Sequence, residues 1–155
     1  MIRSLIFALA IGCGGGISGI DGPPAAQLGT GVDAFTALTD GGSIAIQTGT
    51  QGGHHLWGAA RAANMTPNVT LTFTLTLDDE DGAEADAAPI SVRHDHVGMI
   101  SSVNSSATEN WKEHLGSAIF LDDPTTVQAK RCRLHLDIDD QDGRHAESEA
   151  IVVPQ

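Results

Sequence analysis

The sequence predicts an all-β protein, an antiparallel β-sandwich of about seven short strands. Three observations carry this. Residues Val69 to Leu77 place apolar side chains at every odd position and Thr at every even one, a period of two built on good β-formers. Leu134, Leu136 and Ile138 alternate in the same way with Arg133, His135 and Asp137. No segment shows extended helical periodicity, and only Glu109 to Leu115 is expected to form a short helical turn.

The remaining elements follow in chain order. Strands are expected over Ser43 to Gln47, His54 to Ala63, Pro89 to His96, Ser117 to Leu121 and Arg144 to Val153, with Gly, Asp, Asn and Pro clusters between them. Leu75-Thr76-Leu77-Asp78-Asp79-Glu80-Asp81-Gly82 lines up with Leu136-Asp137-Ile138-Asp139-Asp140-Gln141-Asp142-Gly143, each reading as a strand that runs into an Asp-Gly turn. Trp57 and Trp111 are expected to supply bulk to the core.

Composition limits the function. The chain has 155 residues, room for one domain, with 20 acidic against 8 basic side chains and a net charge of −12. A nucleic-acid partner needs a basic face for phosphates, so that class is excluded. Recruitment to anionic lipid by charge is excluded on the same ground.

The first residues read as an export signal. Arg3 is followed by the apolar run Leu5 to Ile11 and then Gly12-Cys13, too short a run to span a bilayer. Leu9-Ala10-Ile11-Gly12-Cys13 resembles a bacterial lipobox, with Ala10 where the family carries Leu. The resemblance implies that Cys13 is lipidated and becomes the mature N-terminus. Gly14 in place of Asp then implies an outer-membrane destination under the family's sorting rule. The alternative is an ordinary cleaved signal, with Cys13 either discarded or bridged to Cys132, the only other Cys. Cys132 is expected to be a half-buried strand residue; its neighbours Lys130, Arg131 and Arg133 are the feature that would favour a reactive thiolate instead. Domain organisation is accordingly expected as signal peptide 1–12, lipidated Cys and Gly/Pro-rich tether 13–34, and folded domain 35–155.

The closing Leu-x-Leu-x-Ile-Asp-Asp-x-Asp-Gly segment that runs on to Val153 resembles the last strand pair of bacterial immunoglobulin-like domains. The resemblance spans residues 35–153 and implies that architecture. The antibody-type Cys pair and the tyrosine corner are missing.

Gly49-Thr50-Gln51-Gly52-Gly53-His54-His55-Leu56-Trp57 resembles a Gly-x-Gln-Gly-Gly-x-His segment of uncharacterised bacterial exported proteins, which implies no activity. Gly52-Gly53 suit a tight turn, and the strand that follows puts His55, Trp57 and Ala59 on one face. Gln51, Gly52, Gly53, His55 and Trp57 are therefore the candidate contact surface. His94 and His96 share a strand face and, with His55, would offer three imidazoles to Zn²⁺ or Cu²⁺ in an alternative metal-binding reading. A third reading is a Ca²⁺-stabilised adhesion module using Asp78-Asp79-Glu80-Asp81 and Asp137, Asp139, Asp140 and Asp142; neither cluster fits an EF-hand loop. No Gly-x-Ser-x-Gly elbow occurs and the carboxylates fall mainly in turns, so no catalysis and no cofactor are expected. The expected partners are a membrane, through the lipid, and other envelope proteins.

Overall fold

A computed structural model describes residues 20, 22–78, 88–101 and 110–155. Cys13 and the rest of the leader lie outside them, as do Asp79, Glu80 and Asp81. The chain forms eleven strands in order: β1 (Ala25–Thr30), β2 (Thr36–Ala37), β3 (Gly42–Ile44), β4 (Gln47–Thr48), β5 (His54–Ala63), β6 (Asn68–Leu77), β7 (Ser91–Gly98), β8 (Ile100–Ser101), β9 (Lys112–Leu121), β10 (Cys132–Asp140) and β11 (His145–Pro154). A short 3-10 turn over Pro124–Thr126 separates β9 from β10, and there is no α-helix among the described residues. Two sheets result. One runs β2-β1-β5-β9-β8 with β4 added to β5; the other runs β3-β11-β10-β6-β7.

Seven strands of six to ten residues carry both sheets, and four strands of two or three residues sit at their margins. The expected strand at His54 to Ala63 forms with those bounds. Ser43 to Gln47 splits into β3 and β4.

Several expectations are corrected. Among the described residues the first strand, β1, falls at Ala25–Thr30, within the segment read as tether, and pairs with β5, placing Ala25, Ala26 and Leu28 opposite Ala63, Ala62 and Ala60. Small residues on both strands mimic linker composition while permitting close pairing. Lys112 to Leu115 belongs to β9 and not to a helical turn, because it pairs with β5 after a bulge between Gly58 and Ala60. The pairing is not wholly antiparallel, since β3 runs parallel to β11 through Gly42, Ser43 and Ile44. Neither Trp joins the buried core. On β5 the inward position is held by Leu56, fully buried, and strand parity turns Trp57 to the opposite face.

The core is made by the alternation the sequence shows. Val69, Leu71, Phe73 and Leu75 of β6 and Cys132, Leu134, Leu136 and Ile138 of β10 point inward and are buried. Cys132 is thus fully buried rather than half-buried, with its thiol 3.8 Å from the Lys130 carbonyl. The opposite sheet answers with Leu28, Leu56, Ala60, Ile119 and Leu121. Phe73 is the largest of the fully buried side chains. It reaches across to Gly58 on β5, where an added Cβ would stand 2.9 Å from Phe73 Cε1 and 3.1 Å from Ile119 Cδ1. Gly58 is therefore the notch that receives the ring.

The outer face of the β5 sheet is also partly covered. Phe35 folds over Gly29, whose missing Cβ leaves room for the ring, and the Arg61 guanidinium lies 4.1 Å above it. Arg61 Nε in turn donates to Glu113 Oε2 at 3.1 Å. Between the sheets, the Leu28 amide donates to Ser148 Oγ at 3.0 Å, joining β1 to β11.

The strands of the two similar segments meet in the second sheet, while the Asp81-Gly82 turn of the first lies outside the described residues. There β6 and β10 lie side by side, with Thr74 opposite His135, and Leu75–Leu134 matching Phe73–Leu136 on either side of that pair.

Filling the Gly58 notch should cost stability. Gly58→Ala is expected to destabilise by about 1–3 kcal/mol through overpacking, and Phe73→Leu introduced beside it should recover part of that loss. Phe73→Ala alone should cost about 3–5 kcal/mol. Chemical denaturation of the single and double variants reads both effects; a Gly58→Ala protein as stable as the parent would disprove the notch.

Candidate functional site

Two surfaces carry the candidate residues, one on each sheet. On the first sheet, β4 and β5 form a hairpin whose turn is closed by Gly49 N donating to Gly53 O at 2.7 Å and Gly52 N donating to Gly49 O at 2.9 Å. Gln51, Gly52 and Gly53 occupy this exposed turn. The strand then turns His55 and Trp57 outward together. Their rings meet edge to face with centroids 4.4 Å apart. Phe120, opposite His55 on β9, adds a third ring 6.2 Å from the imidazole and is 56% exposed. The Nε2 atom of His55 is buried without a hydrogen-bond partner among the described residues. At the rim, the Arg93 guanidinium lies 5.9 Å from the Phe120 ring and ties back to Asp95 through Nε at 2.7 Å. The expected contact residues thus do gather. Phe120 joins them, although the sequence marks it only as one strand residue among several.

The second sheet presents a polar face. On β6 it is Thr70, Thr72, Thr74 and Thr76; on β7, Val92, His94 and His96; on β10, Arg133, His135, Asp137 and Asp139; on β11, His145, Glu147 and Glu149. Register fixes the rows. Glu149, His135, Thr74 and Val92 form one; Glu147, Asp137, Thr72 and His94 the next; His145, Asp139, Thr70 and His96 the third. A depression of about 460 Å³ opens beside the third row, lined in part by His96, Asp139 and Gln141.

His94 and His96 do share this face, as their spacing predicts. Each is bonded to its cross-strand Thr: His94 Nδ1 is 3.0 Å from Thr72 Oγ1, and His96 Nδ1 is 2.9 Å from Thr70 Oγ1. His55 is not with them. It lies on the outer face of the other sheet, and the three imidazoles do not converge to metal-ligating distance of one another. Strand parity makes this unavoidable, because Arg93 and Asp95 are the β7 side chains that turn toward the first sheet.

The acidic clusters separate likewise. Asp78 accepts from Arg131 Nη2 at 2.9 Å and Arg133 Nη2 at 3.0 Å. Asp137 and Asp139 face outward, whereas Asp140 is buried. Its carboxylate accepts from the amides of Thr66 at 2.9 Å, Asp142 at 3.0 Å and Arg144 at 2.8 Å. Asp140 therefore organises the β10–β11 turn and anchors it to the start of β6. Sequence reasoning missed the pairing of Asp137 with Glu147. The signal was present, since placing the Asp140–Gly143 turn sets these two residues opposite each other.

Compared with known proteins, the chain matches no family model, no curated sequence and no solved structure. Among the described residues, no helix is long and apolar enough to cross a membrane.

Charge sets the pH behaviour. Burial pushes the Asp140 carboxyl up, but the amides of Thr66, Arg144 and Asp142 outweigh it and hold it below the usual range. Asp95 follows the same pattern, burial being overcome by Arg93. The Arg131 guanidinium, with help from Arg133, lowers Asp78. A folded value below the unfolded one means stability that is complete above about pH 3.9 and is lost as pH falls through the folded value. His145 runs the other way: its hydrogen bond to Asp139 raises it, so its contribution is complete below about pH 6.5 and fades as pH rises through the folded value. Asp140→Asn should cost about 1–3 kcal/mol at pH 7 by leaving buried amides poorly matched and should flatten the acid limb of the stability curve. Thermal unfolding between neutral and acid pH checks this, and an acid limb identical to the parent's would contradict it.

Proposed function

We propose that this protein is an exported envelope lipoprotein. A lipid on Cys13 fixes it to the outer membrane, and its folded part is an immunoglobulin-like module with a structural or protein-binding role and no chemistry of its own. The anchor rests on the apolar run Leu5 to Ile11 and the Gly12-Cys13 pair. Anchoring through more than one acyl chain suits a tethered head, since a single chain gives only marginal membrane binding.

The immunoglobulin-like reading is supported by the order of pairing. The strand orders β1-β5-β9-β8 and β11-β10-β6 run like the A-B-E-D and G-F-C sheets of that architecture, with β7 as an additional strand beside C. Phe73 on β6, seated on Gly58 of β5, takes the central place that a Trp holds in antibody domains.

The observation that carries the binding reading is the outward cluster of His55, Trp57 and Phe120 beside the Gln51–Gly53 turn. Aromatic side chains at the centre of a patch are the residues that dominate protein–protein contacts. Arg93 at its rim adds the cation that such patches favour.

Two measurements test this. Cys13→Ala should abolish fatty-acid labelling and move the protein out of the membrane fraction; retained labelling would remove the anchor. A photo-crosslinking residue at position 120 should capture a discrete envelope partner in intact cells, and the same residue at position 72, on the opposite sheet, should not. Equal capture at both positions, or none at 120, would remove the binding surface.

A further inference from the structure

The outer face of the β10–β11 hairpin holds three side chains that no part of the proposed binding role uses. Asp137 and Glu147 stand directly opposite each other in register. Like charges directly opposite on one face of a sheet repel, so the pair calls for a cation between or beside them. His135 is two residues before Asp137 on the same face. Its Nε2 lies 3.3 Å from Asp137 Oδ1 and 3.9 Å from Glu147 Oε2. One ligand atom from each of His135, Asp137 and Glu147 lies within 4.8 Å of the others, the only such group of three or more among the described residues.

Further charged and imidazole groups border these three side chains. The second ring nitrogen of His135, Nδ1, faces Glu149 Oε2 at 3.6 Å, and Glu149 is itself held by Arg133 Nη1 at 3.1 Å. At that distance Glu149 is an ionic neighbour of the ring and not its hydrogen-bond partner. A second imidazole borders the group: His145 Nε2 is 3.8 Å from the same Asp137 Oδ1. All the side chains project from two paired strands of regular register, so the donors are placed by backbone hydrogen bonds and not by a loop.

We propose that His135, Asp137 and Glu147 form a site for one divalent transition-metal ion of the Zn²⁺ or Cu²⁺ class. The donor set decides the class. An imidazole nitrogen with two carboxylates suits Zn²⁺ and Cu²⁺, whereas Ca²⁺ and Mg²⁺ take oxygen alone. The bound ion neutralises the facing carboxylates and clamps β10 to β11 from the solvent side. His94 and His96 take no part, because β6 stands between β7 and β10.

The test uses the full chain and Zn²⁺ alone, followed by titration calorimetry and by the shift in melting temperature. One ion per chain is expected, with a rise in melting temperature. His135→Ala and Glu147→Gln should each weaken binding by at least roughly the 10–100-fold that loss of an outer-shell partner costs. Both positions are partly exposed, so the variants keep the fold, and circular dichroism verifies it. The His94→Ala/His96→Ala double variant should bind like the parent. Cu²⁺ added to labelled protein should broaden the resonances of residues 135, 137 and 147 before those of residues 55, 94 and 96. Affinity no tighter than about 1 mM, binding that survives His135→Ala, or binding lost in the His94→Ala/His96→Ala variant would overturn the site. None of these results bears on Cys13 or on the aromatic cluster.

Discussion

The close approach of Phe73 to Gly58 sets the distance between the two sheets, and much else follows from it. A side chain at Gly58 would hold the sheets apart or turn the ring out of line. Because the ring fills the centre, the flanking positions are left to aliphatic side chains, and Leu71, Leu75, Leu134, Leu136 and Ile119 all become inaccessible. A protein with few aromatic residues thus spends one of its four Phe side chains at the point of greatest leverage. The Trp residues are left for other places.

That geometry explains which parts of the fold were legible beforehand. Strands β6 and β10 are half-buried and regular, so alternation announces them. β1 was hidden because Ala, Gly and Thr look like a linker until Phe35 and Arg61 are seen covering Gly29. The first residues of β9 were hidden by the bulge opposite Gly58, which breaks the period. The parallel run of β3 along β11 depends on backbone bonds at the chain's far end, such as Ile46 N to Gln155 O at 2.7 Å. No local pattern encodes such a contact.

The candidate sites were legible to the same extent. Parity alone grouped His55 with Trp57 and His94 with His96, and both groupings hold. What parity within one strand cannot give is which strands become neighbours. The order β11-β10-β6-β7 leaves His94 and His96 on Thr partners and gives the carboxylate pair on β10 and β11 to His135. The two faces consequently differ in kind: one is aromatic with a cationic rim, the other a lattice of hydroxyls, imidazoles and carboxylates.

The margins of the sheets lead to a different conclusion, about how these molecules meet others. Three of the four outermost strands, β2, β8 and β3, are two or three residues long. The fourth, β7, is longer but points Arg93 and Asp95 inward, and a charged pair there resists docking of a foreign strand. At these four strands lateral growth by ribbon-to-ribbon pairing is therefore discouraged. Copies that meet through those four strands would remain separate bodies rather than knit into a continuous fabric.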